Sequence, residues 1–120
     1  MVQSFSNKVD VEQHDFPQGI SKTLNLLSKK WIMPVLYVLQ NQNLGFSELK
    51  KIIGNGKISS NMLSHVLTEL QQHKLIEKQK ISISPIRVIY SRIIYTDDLY
   101  QLCDVLEAFG SKYLNNKSRN

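Results

Sequence analysis

The stretch SSNMLSHVLTELQQ, residues 59–72, separates into two faces when it is wound as an α-helix at about 100° per residue. One face is aliphatic and consists of Leu63, Val66, Leu67 and Leu70. The opposite face carries only uncharged polar side chains. Short uncharged donors and acceptors suit a surface that desolvates against base edges in a DNA major groove. An ordinary solvent-facing helix surface is the alternative interpretation. The polar face carries no formal charge and consists of Ser60, Asn61, Ser64, His65, Thr68, Gln71 and Gln72.

The composition indicates a single globular domain. The chain has 120 residues, 42% of them hydrophobic, which is enough for one core and too few for two ordinary domains. No apolar run approaches the length of a membrane span, and residues 1–16 lack the apolar stretch of a signal peptide. The single cysteine, Cys103, excludes an intramolecular disulfide. These features predict a cytoplasmic protein with no membrane partner.

The basic charge is concentrated in the middle of the chain. Residues 22–92 contain nine Lys and two Arg against three Glu, a net charge of +8, whereas the whole chain carries +5. A central basic zone favours a polyanionic partner, because neutralising phosphates releases counterions. A basic protein unrelated to nucleic acid would show the same excess, so the charge alone leaves both interpretations open.

Periodicity, capping residues and turn signals predict a mainly α protein with a small β-hairpin, of the α+β class. Residues 1–15 are expected to form an arm or a short helix, and residues 16–120 one domain. A helix-turn-helix followed by a basic hairpin is the plan of a winged helix. In chain order the predicted elements are a helix opened by Pro17, a buried helix over about residues 30–40, a short helix over residues 48–53 capped by Ser47, a turn over residues 54–56, the helix from Ser59 to about His73, strands over residues 75–84 and 87–95, and a helix over about residues 96–114 capped by Thr96.

Three segments carry a family resemblance. They are LNLLSKKWIMPVLYVL at residues 24–39, GFSELKKIIGNGKISSNMLSHVLTELQQHKLIEK at residues 45–78, and SPIRVIYS at residues 84–91. In combination they resemble the HxlR-type family of MarR-like winged helix-turn-helix transcriptional regulators. The resemblance implies a homodimer, built from the N- and C-terminal helices, that binds an inverted-repeat operator in double-stranded DNA.

The chain departs from the family pattern at three points. Phe16 stands where family members typically have a cysteine, so a thiol-sensing mechanism is not carried over. Lys74 stands where a glycine usually follows the recognition helix. The second wing strand is also long, which leaves open how Arg87 and Arg92 are placed in the wing.

The helical faces and the resemblance together predict three sets of functional residues. The base-contacting set covers the first two and a half turns of the recognition helix: Ser60, Asn61, Ser64, His65 and Thr68. The phosphate-contacting set is Ser47, Lys50, Lys51, Lys57, Lys78, Lys80, Arg87 and Arg92. The dimer set is Val9, Val11, Phe16, Leu99, Leu102, Cys103, Leu106, Phe109 and Tyr113.

No catalytic, metal or cofactor site is expected. His65 and His73 would lie about 12 Å apart along a helix, too far to share an ion, and His14 and Cys103 add no ligand spacing. Cys103 is interpreted as a small core hydrophobe, with a redox role as the alternative. Two function classes remain: a dimeric DNA-binding regulator, or a winged-helix module for protein–protein contact. The sequence identifies no small-molecule effector.

Overall fold

The computed structural model describes residues 16–114, in a chain that divides into two compact units between Met33 and Pro34. Val9, Val11 and the expected N-terminal arm or helix lie outside the described residues, and the domain division at residue 15 stays a prediction. The fold class is confirmed. The described elements are α1 Gln18–Leu27, α2 Ile32–Val38, α3 Phe46–Ile52, α4 Ser60–Gln72, β1 Ile76–Ile83, β2 Ile86–Arg92 and α5 Asp97–Tyr113, with 3-10 turns at Ile53–Gly56 and Ile94–Thr96.

The first unit contains α1, which begins after Pro17 as predicted. The carbonyl of Pro17 accepts a hydrogen bond from the Ser21 N–H at 3.2 Å. Because residue 17 stands at the start of the helix, its N–H would have had no helical partner, and a proline there loses no hydrogen bond. None of the residues of α1 is buried, and the apolar side chains of Ile20 and Leu24 are exposed. The helix therefore presents an apolar stripe that residues 16–33 leave exposed.

The core of the second unit forms around α4. Leu63, Val66, Leu67 and Leu70 are all buried, as the aliphatic face of the sequence predicts. Burying one such side chain contributes about 1.5–3 kcal/mol, so this face fixes which side of α4 points outward. Residues from the other elements of the unit complete the core: Val35, Leu36, Leu39, Leu44, Leu49, Ile53, Ile58, Ile76, Tyr90, Tyr100 and Cys103.

The start of α3 differs from the prediction. Helix α3 begins at Phe46 with Gly45 as its N-cap residue, so the prediction that Ser47 is the N-cap is wrong. The Glu48 carboxylate accepts the Gly45 N–H at 2.8 Å, which gives the helix its first-turn capping without a hydroxyl. A Cβ at residue 45 would lie 3.2 Å from the Val88 carbonyl oxygen, so glycine also allows α3 to approach β2.

The turn between α3 and α4 uses left-handed backbone. Gly54, Asn55 and Gly56 have φ values of 59°, 57° and 83°. After this turn, the Ser59 hydroxyl accepts the Met62 N–H at 3.0 Å and caps α4, as predicted. The predicted turn and recognition-helix start are both confirmed.

The hairpin is antiparallel, with Ile76 opposite Arg92 and Lys80 opposite Val88. A bulge between Lys80 and Ser82 then shifts the register, so that Ser82 faces Arg87. The prediction that the second strand continues to Tyr95 is wrong. Strand β2 ends at Arg92, opposite the first residue of β1, and one more backbone hydrogen bond, from the Ile93 N–H to the Leu75 carbonyl at 3.2 Å, follows before the chain turns into the 3-10 segment.

The start of α5 also differs in detail. Thr96 occupies the N-cap position as predicted, but its hydroxyl donates to the Ile93 carbonyl instead of capping the helix. The first turn of α5 is stabilised by Asp97 and Asp98, whose negative charges complement the helix dipole. The predicted side-chain cap is therefore wrong, while the predicted acidic first turn is confirmed.

Helix α4 ends in a Schellman motif that contains Lys74. The Leu75 N–H donates to the Leu70 carbonyl at 3.0 Å, and the Lys74 N–H donates to the Gln71 carbonyl at 2.9 Å. This geometry places Lys74 at φ 60°, in the left-handed region that glycine occupies at least cost. Lys74 therefore holds a backbone conformation that is strained for a residue with a Cβ.

We expect Lys74→Gly to raise the free energy of unfolding by about 1 kcal/mol, because it removes the clash of a Cβ in left-handed backbone. Thermal or urea unfolding measures the change. Lys74→Ala is the matched control, since it removes the same charge and keeps the Cβ. Equal stabilisation by the two variants would show that charge, and not backbone conformation, is responsible.

Candidate nucleic-acid interface

The outward face of α4 carries the five residues predicted to contact bases: Ser60, Asn61, Ser64, His65 and Thr68. All five are exposed. Within residues 16–114 none of their side chains is engaged in a hydrogen bond to another residue. Their donors and acceptors are therefore presented to solvent from a helix whose opposite face is locked in the core.

The last turn of this face is different. The Gln71 amide donates to the Leu67 carbonyl at 3.0 Å and is half-buried, so it is tied to its own helix. Nε2 of His73 lies 4.0 Å from the Glu69 carboxylate, an ion pair when the imidazole is protonated. Gln72 is exposed. The polar face of α4 therefore has fewer unpaired side chains toward its C-terminal end.

Met62 is a surface residue that the sequence analysis did not single out. It lies in the first turn of α4 beside Asn61, and its side chain is 41% exposed, whereas the other aliphatic residues of the helix are buried. Its angular position could have identified it, because about 100° per residue places it outside the buried stripe. An exposed thioether in this turn adds an apolar contact to a mostly polar surface.

Cations lie on both sides of this helix in the sequence. Ser47 is the second residue of α3, with Lys50 half-buried and Lys51 exposed in its last turn. Lys57 is exposed in the segment that leads to the Ser59 cap.

Three more cations are exposed on the hairpin. Lys78 and Lys80 pair with Tyr90 and Val88 and share one face, whereas Arg87 pairs with Ser82 and lies on the other. Both faces of the outer hairpin are therefore positive.

Arg92 is placed differently from the other predicted phosphate contacts. Its guanidinium Nη2 lies 3.1 Å from Oδ1 of Asp97, and its Cζ lies 4.9 Å from the centre of the Tyr100 ring. Arg92 is half-buried at the base of the hairpin, opposite Ile76. These contacts join β2 to α5 and favour a structural role over contact with phosphate.

Tyr100 and Cys103 lie on the inward side of α5. Burial raises the pKa of Tyr100 to about 12, although the charge of Arg92 opposes this rise, so the hydroxyl stays protonated at neutral pH. Burial, with a smaller contribution from Asp104, also raises the pKa of the Cys103 thiol. A buried thiol with a raised pKa forms little thiolate, which favours the interpretation of Cys103 as a packing residue.

The predicted dimer residues divide into two groups. Cys103 is buried, and Phe16, Leu99 and Leu102 are half-buried. The exposed group consists of Leu106, Phe109 and Tyr113, and the rings of Phe109 and Tyr113 lie 5.1 Å apart. Val105 and Leu114, which were not predicted, are also exposed. An apolar surface without a cover in its own unit therefore runs along the second half of α5.

Across residues 16–114 no group of three His, Cys, Asp or Glu side chains is arranged to hold a metal ion. None of the helices in that range is long and apolar enough to cross a membrane.

Known proteins resemble this chain over most of its length. The family model of the HxlR-like helix-turn-helix matches residues 26–118. The HTH-type transcriptional regulator YdzF of Bacillus subtilis is 36% identical over 89 residues, which cover 73% of this chain and 80% of YdzF. The HTH-type transcriptional regulator BH0655 of Halalkalibacterium halodurans is 34% identical over 103 residues, covering 85% of this chain and 88% of that protein.

A solved structure has the same fold. The reduced form of the transcriptional regulator YodB from B. subtilis superposes with a TM-score of 0.75 at 24% identity, covering 84% of this chain and 97% of YodB. The helix-turn-helix, the hairpin and the family match agree with one another, and the chain belongs to the HxlR-like helix-turn-helix family of DNA-binding transcriptional regulators.

Proposed function

We propose that this chain regulates transcription in the cytoplasm as a homodimer that binds an inverted-repeat operator. The observation that carries the proposal is the outward face of α4, where five uncharged polar side chains are exposed and make no hydrogen bond within residues 16–114. Such groups cost less to remove from water than charged groups do, and they regain hydrogen bonds at base edges in the major groove. Asn61 and His65 are the main base-reading residues, because they lie one turn apart near the N-terminal end of α4 and carry an amide and an imidazole, which can donate or accept hydrogen bonds at base edges.

The surrounding cations support binding to the DNA backbone. Phosphate contacts from Ser47, Lys50, Lys51 and Lys57 would set the position of α4 in the groove, and those from Lys78, Lys80 and Arg87 would hold the hairpin. Such contacts supply affinity and register, whereas the α4 side chains supply sequence preference. We assign Arg92 to positioning the hairpin on α5, since its charge is already paired with Asp97.

The uncovered apolar surfaces support the dimer. The stripe of Leu106, Phe109 and Tyr113 on α5 would pack against the same stripe of a second copy, with Leu99 and Leu102 of the same helix contributing. Val9, Val11 and Phe16 remain predicted members of the dimer seam. Removing such apolar surface from water is favourable, so a second copy that covers it would stabilise the dimer. A two-fold dimer of helix-turn-helix units places the two recognition helices about one DNA turn, roughly 34 Å, apart, which matches an inverted repeat.

We expect the double variant Asn61→Ala/His65→Ala to lose specific operator binding, because two base-reading side chains are removed from an intact helix. A gel-shift titration on DNA upstream of its own gene, or on a selected sequence, measures the loss. Gln72→Ala, at the C-terminal end of the same face, should bind within about twofold of the native protein. Unchanged affinity in the double variant, with an intact circular dichroism spectrum, would refute the role of this face.

The salt dependence of binding separates phosphate contacts from positioning residues. We expect Lys80→Gln to reduce the slope of log K against log salt by about 0.9, the value for one neutralised phosphate. Arg92→Gln should lower the free energy of unfolding and leave this slope unchanged, because it breaks the contacts with Asp97 and Tyr100. A slope that falls equally in both variants would place Arg92 at a phosphate.

The dimer is tested through the exposed half of α5. Light scattering should give twice the 13.9 kDa mass of the chain. Leu106→Glu/Phe109→Glu should give the single-chain mass, because two charges enter the apolar stripe. Ala108→Glu is the control on a different side of the same helix and should stay dimeric. A monomeric native protein would contradict the proposed assembly.

A further inference from the structure

The turn between α3 and α4 contains an asparagine between two glycines, all in left-handed backbone. Gly54, Asn55 and Gly56 have φ values of 59°, 57° and 83°. Glycine adopts this conformation without a steric cost, and asparagine adopts it more readily than most residues that have a side chain. The shape of the turn therefore favours asparagine at residue 55 and glycine at residue 56, which form the single Asn-Gly pair in the sequence.

This pair of residues is also chemically reactive. The side-chain amide carbon of an asparagine can be attacked by the backbone nitrogen of the following residue, and a glycine there has no side chain to shield that nitrogen. Asn55 is exposed, and its side chain makes no hydrogen bond within residues 16–114. Gly56 is exposed as well. Neither burial nor a bonded amide therefore protects the pair, and water reaches it.

The backbone conformation of the turn retains the glycine that makes the pair reactive. A Cβ at residue 56 would lie 3.7 Å from the Lys51 carbonyl oxygen, which is an ordinary contact, so the space would admit a side chain. The φ of 83° is what disfavours one, because residues with a Cβ are strained in left-handed backbone. A substitution that shields the nitrogen would therefore strain the helix-turn-helix.

We propose that Asn55 is a site of spontaneous deamidation and, resting on the proposed function, that the modified turn binds DNA more weakly. The deprotonated nitrogen of Gly56 attacks Cγ of Asn55, a C–N bond forms, and the side-chain nitrogen leaves as ammonia. Water then opens the resulting succinimide ring at either carbonyl, which gives aspartate or isoaspartate. The net change consumes one water and converts an amide into a carboxylate and ammonium.

The turn is close to the conformation that the ring requires. A five-membered ring between Cγ and the next nitrogen needs the backbone of a type II′ turn, with φ about 60° and ψ about −120°. Asn55 already has φ 57°, and its ψ of 38° must rotate. That rotation breaks the hydrogen bond of 3.1 Å from the Lys57 N–H to the Gly54 carbonyl, which spans the turn. Local opening of the turn therefore sets the rate of the reaction.

Both products would disturb the elements on either side of the turn. An aspartate at residue 55 carries a negative charge two residues before Lys57, a proposed phosphate contact, and would repel the DNA backbone. Isoaspartate also lengthens the main chain by one carbon, so the turn would no longer hold α3 and α4 in the same relation. We therefore expect weaker operator binding from both products and lower stability from isoaspartate.

The first arm of the test follows the chemistry in the full chain without DNA. The native protein is incubated at mildly alkaline pH, which favours loss of the Gly56 amide proton, and peptides are mapped by mass spectrometry. Asn41 is the internal control, because it is exposed in a loop and is followed by Gln42. We expect the amide of Asn55 to be lost, with isoaspartate among the products, while the amide of Asn41 is retained.

The second arm measures binding to an operator obtained by in vitro selection. Asn55→Asp reproduces one product, and Asn55→Gly is the control that cannot react and still adopts left-handed backbone. Asn55→Asp should bind about fivefold more weakly at low salt, and the difference should shrink as salt screens the charge. Incubation should weaken the native protein and leave Asn55→Gly unchanged. Circular dichroism checks that each variant is folded.

The two arms separate the possible failures. Equal retention of the amide at Asn55 and Asn41 would refute the modification, and aspartate without isoaspartate would exclude the succinimide ring. Deamidation with unchanged operator affinity in Asn55→Asp and in the incubated protein would refute the effect on binding. If selection enriches no operator, the proposed function fails and the effect on binding fails with it, whereas the modification is decided by the first arm alone.

Discussion

Burial of the aliphatic face of α4 is the interaction on which the rest of the structure depends. Leu63, Leu67 and Leu70 are at most 1% exposed, so the rotation of α4 about its own axis is fixed by the core. The same burial determines which polar side chains reach the surface, because on a helix the two faces cannot be set independently. Packing energy thus positions the exposed polar groups of α4, which are the predicted base contacts, without any contact among those groups themselves.

A second set of contacts links the hairpin to the last helix. The Arg92 guanidinium bonds to Asp97 and stacks on Tyr100, and the Tyr95 hydroxyl donates to the Lys74 carbonyl at 3.1 Å. These contacts connect the end of α4, the base of the hairpin and the start of α5. The half of α5 that follows them is apolar and exposed, so the surface that would meet a second copy is attached firmly to the elements that would meet DNA.

Much of this arrangement could be predicted from local sequence. The Ser59 cap and the two faces of α4 follow from side chains that act within a few residues of each other. The role of Arg92 could not be predicted in this way, because its partners come from a different element and are brought together only by the fold. The Gly45 cap was missed although a glycine three residues before Glu48 is a local signal, and Ser47 competed for the same assignment.

The exposure of the hairpin side chains is the property that the sequence predicts least well. An isoleucine-rich hairpin predicts burial, since most isoleucines in proteins are inside, yet Ile83 and Ile86 are outside because the two-stranded sheet extends past the core. The bulge near Ile81 adds to the difficulty, since a one-residue shift reverses the face of every following side chain. Which face of a strand is buried is a tertiary property that alternation alone does not decide.

The isolated pairing of Leu44 with Tyr90 connects the segment before α3 to strand β2. The two residues exchange backbone hydrogen bonds of 3.1 Å and 2.7 Å, so the segment before α3 is hydrogen-bonded to the second hairpin strand. This pairing restrains the spacing between the helix-turn-helix and the hairpin. On the proposed function, a duplex that meets both elements has to bring its grooves to that spacing through its own twist. Binding would then depend on the winding of the DNA as well as on its sequence.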